Sequence, residues 1–361
     1  MMQVAAPAVR FDTPRDEVLS IQYLRGFAAL SVLITHALQW PLAELNMALL
    51  KTGRLGVEVF FVISGFIITI IAGDGPFSPK TFLSRRAFRI IPTYWAATLL
   101  ITCLALMMPS QFRTTIPTIE GFVKSLLFIP SLEPKAPLLL LGWTLNFEAF
   151  FYLVFASLFF LKSGMRTVVL FGLFACLVAI GQALTEPTHL EAIYTSPSLI
   201  GFIFGTALAQ AYRHGMIASL GRTAQVLVVA APFALVTAYY AIPWEGAEHV
   251  ALWKHVLMSL GAFSIVLLAL ACEAQDRMPY VNLLKYLGDG SYSLYLFHIF
   301  SVAAVWAVMK RLFDVNQPLT YLACTAIAIV AGLAFGLVCH HLVERPLLMA
   351  GRKWRRAALP A

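Results

Sequence analysis

Arg25 and His36 are the residues from which chemistry in this chain is first read. They stand eleven positions apart in IQYLRGFAALSVLITH (residues 21–36), an otherwise apolar run. On an α-helix, eleven steps of 100° make about three full turns, which puts both side chains on one face about 16 Å apart. An arginine at bilayer depth costs about 2.5–3.5 kcal/mol on insertion scales, and such groups face a bundle interior or a wet cavity. The run therefore reads as one wall of an active site, with Arg25 near one membrane face and His36 towards the middle.

A second polar cluster is SRRAFRIIPTYW (residues 84–95). Arg85, Arg86 and Arg89 project to neighbouring sides of one helical turn, and Pro92 should kink or interrupt that helix. Two readings are open. The arginines anchor the helix at lipid phosphates, or they clamp a phosphorylated ligand, whose oxygens match the guanidinium fork.

The third is GWTLNFEAFFY (residues 142–152), which buries Glu148 in apolar company while Asn146 points elsewhere. Glu148 is either a packing tie to a tyrosine or arginine, or the partner that orients the His36 imidazole. At similar depth lie Glu58 and Ser64 in VEVFFVISGF, and Ser291, Tyr295 and His298, which share a face at i, i+4, i+7. Ser64 beside Gly65 has a bland reading, a small residue that lets helices approach. Tyr295 and His298 suit a cavity lining. His340 and His341 near Glu344, Arg345 and Pro346 read as a structural tie between a helix end and the tail.

The elements that position these residues follow from composition. The 361 residues are 60% hydrophobic and 12% charged, with a mean hydropathy of +0.80. Soluble chains carry about 25% charged residues, so this is a polytopic membrane protein built of helices alone. The net charge of +8 is spread over short loops rather than gathered on one face, which argues against nucleic acid. The cysteines Cys103, Cys176, Cys272, Cys324 and Cys339 are odd in number and lack CxxC spacing. They read as small buried thiols, with no disulfide and no metal site. The first 20 residues carry Arg10, Asp12, Arg15, Asp16 and Glu17, and so are no cleavable signal.

A membrane span needs about 20 apolar residues. Ten such segments are expected, at about 21–40, 55–73, 83–107, 137–161, 166–184, 197–212, 223–242, 252–272, 290–309 and 319–342. The shorter apolar piece 118–130 reads as re-entrant or interfacial. With both termini cytoplasmic, 18 of the 26 lysines and arginines fall on the inner side and 8 on the outer, as the positive-inside rule asks. A single domain over residues 1–361 is expected, without the inverted repeats of a secondary transporter. The outer loop 108–136, with Pro109, Pro117, Pro130 and Pro134, should fold against the bundle.

Taken together, Arg25-x10-His36, GVEVFFVISGF, Arg86-x-x-Arg89, GWTLNFEAFFY, GSYSLYLFH and VERP resemble the membrane acyltransferase 3 family. They come in the family's order and spacing over nearly the whole chain. The form GWTLNFE is similar to the ExoZ-like branch. The resemblance implies a membrane O-acyltransferase, moving an acetyl group from cytoplasmic acetyl-CoA to a sugar hydroxyl of an exopolysaccharide or its lipid-linked precursor at the other face of a bacterial inner membrane. It implies phosphate or acyl-donor contacts for Arg25, Arg86 and Arg89 and a catalytic centre at His36. Geometry and resemblance together add Glu148 as orienter, with Arg85, Ser64, Tyr295 and His298 lining the cavity. Many relatives carry a further span and a fused extracytoplasmic hydrolase-like domain; neither is expected here.

Two mechanisms stay open: His36 as general base in a ternary complex, or as acyl carrier. The first needs no charged acyl-imidazolium in a low-dielectric site. A competing class is a proton-coupled transporter or flippase of a lipid-linked sugar, using His36 and Glu148 as a relay. Within the enzyme reading, the acceptor could instead be a lipid headgroup or an antibiotic sugar. Acceptor choice should rest in the outer loops 41–54, 108–136, 185–196 and 243–251. There Trp40, Trp244 and Trp253 either stack on sugars or belong to the interfacial aromatic belt, the reading preferred here. The oligomeric state is open, a homo-oligomer included.

Overall fold

The computed structural model describes residues 18–39, 53–112, 115–131, 133, 136–241 and 252–358. Within them the chain is a bundle of helices: α1 (Leu19–Gln39), α2 (Gly53–Ala72), α3 (Pro79–Met107), α4 (Ile119–Leu126), α5 (Gly142–Ser157), α6 (Ser163–Ala183), α7 (His189–Tyr194), α8 (Leu199–Arg213), α9 (Arg222–Ala241), α10 (Leu252–Ala274), α11 (Asn282–Asp289), α12 (Ser291–Leu312), α13 (Pro318–Cys339) and α14 (Arg345–Ala358). A π-helical turn, His340–Glu344, joins the last two. Among the described residues eight stretches are long and apolar enough to cross a membrane. The other two expected spans are also helical: the apolar stretch Ala224–Tyr239 of α9 and the 16-residue α5.

Helix α5 is the instructive departure from the expected span at 137–161. At 1.5 Å per residue it is about 24 Å long, short of a 30 Å hydrocarbon core. Its first turn is set inside the bundle, because a Cβ on Gly142 would lie 2.5 Å from the Tyr94 hydroxyl of α3. The Leu141 carbonyl just before it accepts a 3.3 Å hydrogen bond from the Tyr295 hydroxyl of α12. The segment 118–130 contributes only the eight-residue α4, too short to cross. It packs back on α3, with Trp95 Nε1 donating to the Leu126 carbonyl at 2.9 Å and Phe128 stacked on Tyr94. Helix α3 runs through Pro92 as one helix, where an interruption was one of the two expectations.

In lipid, helices associate through close van der Waals packing and hydrogen bonds, since the tails are as apolar as the side chains. Small residues at i, i+4 make the approach between α2 and α8. A Cβ on Gly205 would stand 2.1 Å from the Val62 carbonyl oxygen, and one on Gly65 2.1 Å from that of Phe202. Gly332 and Gly336 play the same part for α13, against Leu33 and Leu294. Phe61, Phe147, Phe151 and Phe202 fill the resulting core in a contiguous aromatic stack.

Helix α1 is fixed at both ends. At its start the Glu273 carboxylate accepts from Leu19 N, Ser20 N and Ser20 Oγ at 2.7, 2.9 and 2.5 Å. An acid at that end satisfies orphan amides and complements the helix dipole. Near its other end the Ala37 and Leu38 carbonyls accept from Trp306 Nε1 at 3.0 Å and the Tyr321 hydroxyl at 2.6 Å. Elsewhere Arg166, almost wholly buried, donates to the carbonyls of Gly75, Leu158 and Leu161.

The cysteines depart from expectation. All five are free thiols, but only Cys324 and Cys339 are buried; Cys103 and Cys176 are exposed. An apolar thiol on an outward helix face can meet lipid instead of core. Residues 1–17, Trp40, Trp244 and the loops 41–52 and 243–251 lie outside the described residues.

Candidate functional site

A cavity opens among α1, α2, α3, α5 and α12. Arg25, Arg86, Arg89, Ser64, Glu148 and Tyr295 all line it, so six of the nine site residues expected from the sequence meet in one place. Tyr152 and Tyr292 line it too. Arg86 Nε is buried there without a hydrogen-bond partner, which leaves one fork direction for a ligand. Arg25 donates to Gln22 Oε1 at 3.2 Å, and both Arg25 and Arg86 are close enough to Glu148 for their charges to attract it. Such a wall of guanidinium donors suits an anion of several oxygens.

Glu148 is held on the side of this cavity. Its Oε1 accepts from Ser64 Oγ at 3.1 Å and from the Tyr152 hydroxyl one turn further along α5. The Tyr295 hydroxyl sits 2.8 Å from Thr144 Oγ1, and its ring meets Phe60 edge to face.

The expected pairing of His36 with Glu148 is not formed. His36 Nδ1 lies 2.9 Å from His298 Nε2 instead. His36 and Glu148 also stand at different distances from the ends of their helices. His36 is three residues from the last residue of α1, about 4.5 Å along its axis. Glu148 is six residues into an α5 that itself begins inside the bundle, about 9 Å along that helix. The same fact moves His36 from the expected middle towards the far end of α1. Neither histidine lines the cavity; His298 follows the lining Tyr295 by one turn of α12. His298 is fully buried, and its Nδ1 is 2.8 Å from the Leu294 carbonyl oxygen. Arg85 is exposed and does not line the cavity, which leaves it with the anchoring reading.

Ser64 and Gly65 divide the two roles weighed for Ser64: Gly65 makes the close helix contact and Ser64 faces the cavity. The tie at the tail is present. His340 Nδ1 and Ser293 Oγ reach Glu344 Oε2 at 2.8 and 2.7 Å, and His341 Nε2 lies 2.7 Å from the Tyr286 hydroxyl. Trp253 is partly exposed in the first turn of α10 beside Lys254.

Glu58 belongs to a separate buried cluster. Arg54 NH2 reaches Glu58 Oε1 at 3.5 Å and His255 Nδ1 at 2.5 Å, while Ser259 Oγ donates to Glu58 Oε2 at 2.8 Å. The signal for it was present as charged and imidazole side chains in apolar segments of α2 and α10, 201 residues apart. Among the described residues no group of three or more His, Cys, Asp or Glu side chains is placed to hold a metal ion.

Residues 18–337 match the family described as Acyltransferase domain. The exopolysaccharide production protein ExoZ of Rhizobium meliloti (strain 1021) is 33% identical over 85% of this chain and 93% of its own. Acyltransferase MdmB of Streptomyces mycarofaciens is 25% identical, with 94% of each chain covered. The peptidoglycan O-acetyltransferase OatA of Listeria monocytogenes is 22% identical over 93% of this chain, which spans 57% of that protein's length. No solved structure matches.

Proposed function

The chain belongs to the acyltransferase family defined by that domain, and from this premise we propose that it carries acetyl from cytoplasmic acetyl-CoA to a hydroxyl of an exopolysaccharide or its lipid-linked precursor. The enzyme is a multi-pass membrane acyltransferase; the donor, the acceptor, the inner-membrane setting and the residue roles belong to the proposal.

The observation that carries it is the cavity wall of Arg25, Arg86 and Arg89 with its unpartnered Arg86 Nε. Acetyl-CoA carries a pyrophosphate and a 3′-phosphate, and guanidinium forks bind phosphate oxygens in pairs. The charge bias of the loops sets the arginine-bearing start of α3 on the cytoplasmic side, where acetyl-CoA is found. The relative named for exopolysaccharide production supports the acceptor class.

The residues divide the work. The arginines hold the donor by its phosphates, so that its thioester arm runs along the apolar wall of Phe60, Phe61 and Val57 towards Tyr295. Glu148, with Ser64 and Tyr152, organises the donor end. It is not the hydrogen-bond partner of His36. His36 serves the acceptor. As general base it takes the acceptor hydroxyl proton while the hydroxyl oxygen bonds to the thioester carbon and the carbon–sulfur bond breaks. The proton then returns to the thiolate. Covalent transfer through the ring is the alternative, and trapping acetyl-His36 with acetyl-CoA alone would establish it.

The deciding experiment is acetyl-CoA binding to detergent-purified protein by calorimetry at low salt, wild type beside Arg86→Ala/Arg89→Ala. Binding by the wild type that is lost in the double variant supports the donor site. No binding by folded wild type sinks acetyl-CoA as the donor and leaves this acyltransferase with a different acyl donor.

A further inference from the structure

The hydrogen bonds around His298 fix where the protons of both rings sit. A carbonyl oxygen can only accept. The Leu294 carbonyl lies 2.8 Å from His298 Nδ1, so Nδ1 carries the hydrogen. A neutral imidazole has one N–H, and His298 Nε2 is then a bare acceptor. His36 Nδ1, 2.9 Å away, must be its donor. That uses the single N–H of His36 and leaves the lone pair on its Nε2.

The reverse order would require a positive His298. That residue is fully buried, and its hydrogen-bond partners are an imidazole and the backbone of Leu294 and Tyr295, with no carboxylate to balance the charge. The ring geometry supports a true in-plane bond. The planes are 17° apart with centroids separated by 5.2 Å, as two rings meeting edge to edge are; stacked faces would sit closer.

We propose that His298 is the positioning residue for His36. It holds the imidazole in the Nδ1–H tautomer and turns Nε2 to the reaction, the task that the sequence offered to Glu148. The inference rests on the reading of His36 given above. It holds for either mechanism, since both a base and an acyl acceptor need a nitrogen lone pair. When Nε2 takes the hydroxyl proton, Nδ1–H stays donated to His298, and the charge is shared across a bond between two bases. The proton on Nε2 then passes to the thiolate, and both rings return to their starting tautomers. The packing that sets this up is specific. Leu294 is buried against Ala29 and Leu33, and Trp306 and Tyr321 pin the carbonyls that follow His36.

The test compares His298→Gln with His298→Leu. The Gln amide oxygen reaches about where Nε2 was and accepts from Nδ1–H; Leu offers nothing. Expected for His298→Leu is a fall in kcat of about 100-fold, within the range that a positioned base supplies. The KM for acetyl-CoA should move by less than about threefold. His298→Gln should recover to within about tenfold of wild type. Histidine ¹⁵N spectra give a readout independent of turnover. Wild-type His36 should show a protonated Nδ1 and a bare Nε2, and His298→Leu should shift the ring towards the Nε2–H form that a free side chain prefers. Wild-type kcat in folded His298→Leu, a Gln variant no better than Leu, or an Nε2–H tautomer in the wild type would each overturn the proposal. If His298→Leu does not fold, the wild-type spectrum and the Gln variant decide. Full transfer by His36→Ala would instead sink the underlying reading of His36, a separate outcome.

Discussion

His298 follows Tyr295 by three residues on α12, so the side chain that closes the wall of the cavity and the one that holds His36 share a helix face. Tyr295 lines the cavity, and His298, one turn further along α12, meets His36. The Tyr295 hydroxyl is tied to Thr144 and Leu141, and Phe60 meets the edge of the ring.

If Tyr295 keeps water from the thioester until an acceptor is in place, Tyr295→Ala should raise acceptor-independent hydrolysis of acetyl-CoA several-fold while lowering transfer. Tyr295→Phe, which keeps the ring, should resemble wild type in hydrolysis. A free-thiol assay with and without acceptor makes the comparison. Equal hydrolysis in wild type and the Ala variant would remove the barrier role.

Arg86→Lys tests the fork rather than the charge. A lysine offers one compact ammonium where the guanidinium offers paired donors, and a hydrogen bond to a charged group contributes about 1.5–3 kcal/mol. The expected result is a Kd for acetyl-CoA about tenfold weaker, with kcat at saturation little changed. Affinity equal to wild type would mean that the residue acts only as a point charge or as an anchor.

Glu148→Gln separates the donor end from the acceptor side. Gln can still accept from Ser64 and Tyr152 but no longer competes with phosphate for Arg25 and Arg86. Calorimetry at low salt should show CoA bound a few-fold more tightly, and the ¹⁵N signature of His36 should not move. A turnover loss as deep as that of His36→Ala would return Glu148 to the chemistry.

How far the site could be read from sequence follows from these same residues. Ionisable groups in apolar runs are costly, so Arg25, Arg86, Glu148 and His36 announce themselves, and the first three do meet in one cavity. Partners across the fold do not. His36 and His298 are separated by 262 positions, and nothing local says which imidazole will meet which. Depth is also hidden. The start of α5 is set by contacts with Tyr94 and Tyr295 rather than by composition, so a span drawn from hydropathy placed Glu148 on a level with His36. The Arg54–Glu58–His255 cluster has the same character, since its members stand on two separate apolar helices, α2 and α10, that meet only by packing.

Trp306 offers the sharpest check that the far end of α1 must be held for catalysis. Its ring is completely buried and its Nε1 donates to the Ala37 carbonyl, next in sequence to His36. Trp306→Phe removes that donor and part of the ring. An orphaned buried carbonyl costs about 1–3 kcal/mol and the void adds to it, so the thermal midpoint in detergent should fall by several degrees. A packing role ends there. If the bond also aims His36 at the acceptor, kcat measured well below the midpoint should fall as well, with the KM for acetyl-CoA unchanged, because His36 does not line the cavity that the arginines wall. A lowered midpoint with wild-type kcat would confine Trp306 to stability and leave the aim of His36 to His298 alone.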